Sequence, residues 1–144
     1  MPHLEFECTK ETYRPGRHDI VRWLDPYFDL GLVRESWEDW LNPPDQETWD
    51  ALHQQGYRYC AIVYQGLIVA VAAVWTYSEE AWELAAVHTH PDFRQLGCAK
   101  ATCAFITDYI IKSHRRATCH TTEGNEPMIA VLKGLGYRLL PEDP

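Results

Sequence analysis

The 144-residue sequence predicts an α/β fold in which a mixed, mostly antiparallel sheet is flanked by helices. Three observations carry this expectation. Residues 57–64 and 67–77 are rich in β-branched and aromatic side chains and are joined by the tight-turn pair Gln65-Gly66, so they read as a hairpin. Ser78-Glu79-Glu80 makes a second turn, after which 82–89 continues the meander. Residues 97–112 instead repeat apolar side chains at Ala101, Phe105 and Tyr109, with Ile106 and Ile110 widening the face, as an amphipathic helix does.

The remaining elements follow in chain order. Leu4-Glu5-Phe6-Glu7-Cys8 alternates apolar and polar residues like a half-buried strand, and 9–16 is rich in turn formers. Helical stretches are expected over 17–28, disturbed by Asp25-Pro26, and over 36–41, stopped by Pro43-Pro44. Asp45 suits the N-cap of a helix over 46–55, with Gly56 as its stop. Beyond the helix at 97–112, whose end carries Lys112, Arg115 and Arg116, a strand is expected over 117–122. A helix over 127–135 lies between Pro127 and Gly136, and a short strand over 137–140 closes the order. The length suits one domain over 1–144, with no repeat, low-complexity tract or linker.

Composition narrows the function classes. No stretch reaches the ~20 unbroken apolar residues of a membrane span, and the start Met1-Pro2-His3-Leu4-Glu5 lacks the basic and apolar pattern of a secretory signal. Five scattered cysteines without a Cys-x-x-Cys pair argue against a disulfide framework or a zinc ribbon, so reduced thiols in the cytoplasm are the simplest account. The formal net charge of −8 disfavours a nucleic-acid partner, whose phosphates demand a basic footprint. It suits a cationic substrate, although solubility alone explains it equally well.

The chemistry concentrates in Val87-His88-Thr89-His90-Pro91-Asp92-Phe93-Arg94-Gln95-Leu96-Gly97-Cys98-Ala99-Lys100, which runs from strand through turn into helix. Successive backbone N–H groups at a helix start, with the positive end of its dipole behind them, can ligate a pyrophosphate, while Gly97 and Ala99 keep side chains out of the way. A close-packed helix–sheet junction would explain the small residues too. Within this stretch, Arg94-Gln95-Leu96-Gly97-Cys98-Ala99 fits the signature Arg/Gln-x-x-Gly-x-Gly/Ala, and Asn125-Glu126-Pro127-Met128 leads a helix ending at Gly136-Tyr137. With these two motifs at this separation, the chain from 57 through 137 resembles the GNAT superfamily of acyl-CoA-dependent N-acetyltransferases.

The resemblance implies a GNAT-like sheet whose strands at 82–89 and 117–122 splay apart to admit the pantetheine arm of acetyl-CoA, the cosubstrate, as an added strand. Carried over by position, Val87, His88 and Thr89 would pair with pantetheine. The loop from Gln95 to Lys100, with Arg94 compensating charge beside it, would hold the pyrophosphate. Asn125 would meet the arm, although it also suits an ordinary helix cap. The implied acceptor is an amine, on a small molecule or a protein, and a homodimer is left open. A family tyrosine that protonates the departing sulfur is replaced by Leu132, and the tail beyond Leu140 is too short for the family's usual seventh strand. Water can protonate a thiolate whose conjugate thiol has a pKa near ~8.5; Tyr109 and Tyr137 are alternative donors.

Acetyl transfer to an ammonium requires that a proton first be removed. Glu83 lies six residues before Thr89 and, by strand parity, shares a face with Ala85, Val87 and Thr89, at a position where several family members carry a catalytic Glu or His. His120 is the rival base, five residues before Asn125, with an ordinary pKa near ~6.5. Three other readings compete. His88 and His90, on one strand face with His120 or Glu83, suggest a metal site, but no ordered metal motif accompanies them. Cys98 as an acyl-accepting nucleophile lacks a paired base. A non-catalytic acyl-CoA-binding sensor would keep the loop and tolerate Leu132.

Overall fold

A computed structural model describes residues 2–37 and 44–141 of the protein. Within them a seven-stranded sheet is flanked by helices. The strands are β1 (His3–Cys8), β2 (Arg22–Trp23), β3 (Tyr57–Tyr64), β4 (Leu67–Trp75), β5 (Ala81–Thr89), β6 (Arg116–Thr122) and β7 (Arg138–Leu139). The helices are α1 (Leu30–Trp37), α2 (Gln46–Gln54), α3 (Cys98–Lys112) and α4 (Glu126–Gly134), with a single 3-10 turn at Pro91–Phe93. The sheet order is β2-β3-β4-β5-β6-β1-β7, and the β5–β6 pair alone among these is parallel.

Local chemistry accounts for most of these elements. Gln65 and Gly66 take positive φ values of 50° and 80°, the conformation that a two-residue hairpin turn requires. β4 is buried along nearly its whole length because both faces are covered, which explains its unbroken apolar run Leu67 to Trp75. On one face Val71 and Ala73 pack with Val33 of α1 and Trp49 of α2. On the other, Ala72 and Val74 pack with Ile106 and Ile110 of α3 and Leu132 of α4. Asp45 caps α2, its carboxylate accepting the Thr48 N–H at 2.7 Å.

Two expectations for the first third of the chain require correction. No helix spans 17–28: this segment carries the edge strand β2, paired to Cys60 and Ala61 of β3. The Asp25 carboxylate accepts the N–H groups of both Tyr27 and Phe28 at 2.8 Å; this side-chain competition with the backbone fixes a turn where a helix would need those donors elsewhere. α1 begins at Leu30, six residues before the expected start at 36, with the Val33 N–H reaching the Asp29 carbonyl at 2.9 Å. The remainder of the expected 36–41 helix, and the Pro43 stop, lie outside the described residues.

The N-terminal strand takes an unexpected place. β1 is inserted between β6 and β7, antiparallel to both, so a wall beside β6 is present although the tail after Leu140 is short. Its alternation is used as the pattern implies: Phe6 and Cys8 are buried in the core under α3 and α4, which leaves Glu5 and Glu7 on the opposite face.

Candidate active site

β5 and β6 pair only through Ala81↔Arg116, Trp82↔Ala117 and Glu83↔Thr118. Beyond that point β5 continues to Thr89 and β6 to Thr122 with no further pairing between them, so the two strands part. Along β5 and into the start of α3 opens a cleft of about 510 Å³, lined by Val87, His88, Thr89, Phe93, Arg94, Gln95, Gly97, Cys98, Ala99, Lys100 and Asn125, with Pro127, Met128 and Val131 of α4. The sequence-predicted cofactor residues therefore gather in one place, except Leu96, whose side chain is largely exposed outside the lining.

The loop before α3 has the form an anionic group needs. Gln95 and Gly97 take φ values of 64° and 83°, and alternation into the left-handed region turns successive N–H groups toward one concavity. Gly97 is the N-cap of α3 without a side-chain cap bond, so the first N–H groups of the helix have neither an intrahelical partner nor a capping oxygen. A Cβ on Gly97 would meet nothing within 4 Å, so no protein atom crowds the loop on that side. The residues present thus fit an acyl-CoA pyrophosphate. Arg94 turns back, its Nε donating to the Thr89 carbonyl at 3.4 Å, and Asn125 caps α4 through a 3.4 Å bond from the Met128 N–H while also lining the cleft.

Strand parity along β5 breaks between Glu83 and Thr89. β4 pairs Ala73 with Ala85 but Val71 with His88, so β5 carries an extra residue there, a β-bulge with Ala86 at a φ of 54°. Consequently His88, not Thr89, shares the face of Glu83, and the parity that grouped Glu83 with Val87 and Thr89 does not hold. His90 lies beyond the end of β5, where its Nδ1 accepts the Asp92 N–H at 3.1 Å and caps the 3-10 turn. It therefore shares no strand face with His88. Among the described residues no three His, Cys, Asp or Glu side chains gather as a metal site would.

Where β5 and β6 part, the two rival bases meet. Glu83 is buried, and its Oε2 lies 2.8 Å from His120 Nδ1 and 3.2 Å from the His120 backbone nitrogen. Its Oε1 accepts the Thr118 hydroxyl. Because that hydroxyl proton is committed to Glu83, the Tyr77 hydroxyl, 3.2 Å from Thr118 Oγ1, is the donor in its own bond. An ionised carboxylate only accepts, so His120 Nδ1 carries the shared proton and Nε2 holds the lone pair in the neutral ring. Nε2 faces Glu5 of β1, with 3.7 Å between Nε2 and Oε2, and both side chains are about half exposed. The Glu83 bond raises the His120 pKa above its ordinary value, burial works against it, and the charges of Glu83 and Glu5 add to the rise.

Thr118, Tyr77 and Glu5 were not among the sequence-predicted site residues. Thr118 left a signal in its parity with His120 on the expected 117–122 strand, and Glu5 in the alternation at the N-terminus, but nothing local says which strands will pair. The alternative sulfur donors prove to be packing residues. The Tyr137 hydroxyl is buried 2.8 Å from Thr107 Oγ1, and Tyr109 packs edge-on to Trp23 with ring centroids 4.9 Å apart. Neither lines the cleft. Leu132 is fully buried in the core, and the Cys98 thiol is pushed up by burial, away from the thiolate form a nucleophile needs.

Comparison with known proteins bears on this arrangement. Residues 17–137 match the model of the acetyltransferase (GNAT) family. Among solved structures, the chain is similar to a GNAT-family protein from Novosphingobium aromaticivorans, with a TM-score of 0.75 at 16% identity over 96% of this chain and 60% of that one. A GNAT-family acetyltransferase from Colwellia psychrerythraea gives 0.75 at 14% identity over 95% and 52%. The structure of AAC(6')-Iy in complex with the bisubstrate analogue CoA-S-monomethyl-acetylneamine gives 0.64 at 18% identity over 86% and 93%. At these identities the likeness is one of fold, and the chain spans little more than half the length of the first two. No curated protein matches it significantly in sequence. Family match, sheet topology and cleft agree, and the chain belongs to the GNAT family of acetyltransferases.

Proposed function

We propose that the protein transfers an acetyl group from acetyl-CoA to a primary amine, with His120 as the general base and Glu83 as the carboxylate that orients it. The observation that supports this most is the Glu83–His120 hydrogen bond of 2.8 Å at the point where β5 and β6 separate. Acetyl-CoA supplies a thioester whose carbonyl carbon accepts the amine nitrogen. His120 Nε2 takes a proton from the incoming ammonium, and the freed lone pair forms the C–N bond. The N-protonated tetrahedral adduct then gives its second N–H proton to solvent water as the C–S bond breaks with its electrons on sulfur, and the departing thiolate takes a proton back from that water. Glu83, with both oxygens already engaged, is better placed to hold the imidazole than to receive the proton itself. This revises the expectation that Glu83 is the base, and it makes the two residues partners.

A broad amine panel with acetyl-CoA, read by thiol release, tests the proposal. Turnover on at least one amine, lost in His120→Ala, is the expected result. Tight acetyl-CoA binding with no turnover on any amine would favour the non-catalytic sensor, for which the fully buried Leu132 in the place of the family tyrosine is the supporting observation.

A further inference from the structure

The face of the sheet that carries Glu83 and His120 continues onto β1. In the β1–β6 register Glu5 stands opposite His120 and Glu7 opposite Thr118. The two glutamates differ in their partners. Glu7 is held by Arg116 in an ion pair, whereas Glu5 faces an imidazole that is charged only when protonated. Two acceptors, the Glu5 carboxylate and the neutral His120 Nε2, therefore stand 3.7 Å apart with both side chains about half exposed. An N–H hydrogen bond spans ~2.7–3.2 Å, and an ammonium nitrogen has three donors. One ammonium can thus donate to both groups at once.

We infer that Glu5 is the residue that receives the acceptor, and that the acceptor class is a primary alkylammonium with no carboxylate or phosphate close to its nitrogen. The inference rests on the acetyl-transfer reading and adds the selectivity of its acceptor side. Glu5 binds the ammonium by charge, and the same nitrogen passes one proton to Nε2 before it attacks. A zwitterionic acceptor would bring its own anion toward Glu5 and toward Glu83 behind the imidazole, and like charges at this range repel. The site thereby rejects free amino acids while accepting amines of the same length. The N-terminal strand, which contributes Phe6 and Cys8 to the core, supplies the specificity residue from its other side.

The test uses the whole protein with acetyl-CoA, near pH 8.5 and so above the ordinary imidazole range, and compares an amine panel that includes propylamine, 1,3-diaminopropane and β-alanine. Amines without an anion should be the preferred acceptors, and β-alanine should show a KM at least about tenfold above that of propylamine. Glu5→Gln should raise KM for the cationic amines by about three- to fivefold, as befits a half-exposed charge, with kcat within about threefold and the β-alanine gap narrowed. Glu5→Asp should recover part of the loss, which a merely structural role would not produce. Zwitterionic amines among the best acceptors, or a β-alanine gap unchanged in Glu5→Gln, would overturn the inference while leaving acetyl transfer intact. Acetyl-CoA binding without turnover on any amine would overturn both.

Discussion

Glu83 Oε2 and His120 Nδ1 lie 2.8 Å apart, so the two residues that the sequence offers as rival bases form one hydrogen-bonded pair. The bond to Glu83 is the largest cause of the raised His120 pKa. A base works in its neutral form, so kcat should climb with pH through that raised value, on a limb above the ordinary ~6.5. Glu83→Gln removes the charge, so the limb should move to lower pH while the maximum falls. A pH profile of kcat for both proteins checks this; an upward or absent shift would speak against the pairing.

Gly97 combines a left-handed φ of 83° with open space where a Cβ would stand. Gly97→Val should therefore act in two ways. Its backbone strain costs ~1–2 kcal/mol of stability, read as a lower Tm, and its side chain displaces a phosphate from the N–H groups. Each charge-assisted bond lost contributes ~1.5–3 kcal/mol, so acetyl-CoA affinity should drop by roughly tenfold or more in calorimetry. Unchanged affinity in a folded variant would relocate the pyrophosphate.

Ala86 holds the β5 bulge at a φ of 54°. Glycine adopts this conformation freely, so Ala86→Gly should be tolerated with little change in Tm, whereas the β-branched Ala86→Val should destabilise by roughly 1–3 kcal/mol. Denaturant titration separates the two.

At Gly136 the φ is 95° and an added Cβ would run into the Thr12 carbonyl, which is backbone and cannot turn aside. Gly136→Ala should lower stability by more than about 2 kcal/mol, since the end of α4 and the loop after β1 can no longer meet. Urea unfolding measures it.

Most of the fold was legible because its signals are local. The Gln65-Gly66 turn, the Asp45 cap and the apolar face of α3 each act within a few residues, and the loop before α3 could be read because its glycine and small residues have a steric purpose. Where the outcome depended on distant partners, the sequence was silent. Within residues 17–28, Arg22–Trp23 became an edge strand because β3 offered Cys60 and Ala61 as partners, and the next residues became a turn because Asp25 tied up two N–H groups. The bulge at Ala86 inserts one residue and so inverts the parity by which Glu83 was grouped with Thr89, and alanine gives no sign of it. Glu5 reached His120 through pairing across more than a hundred residues, which alternation in β1 alone does not specify.

If Glu83 and His120 act as a unit, a double-mutant cycle on kcat at neutral pH exposes their coupling. Glu83→Gln, His120→Ala and the double variant are compared on one accepted amine. His120→Ala should remain folded, because the Glu83 carboxylate keeps the Thr118 hydroxyl and the residue-120 backbone N–H as donors, and circular dichroism checks the fold of all three variants. Groups that work as one are strongly non-additive. Each single change should lower kcat by ~10²–10⁴-fold, with the double variant within about threefold of the worse single. Multiplication of the two losses, or full activity in either single variant, would show that the two residues work independently.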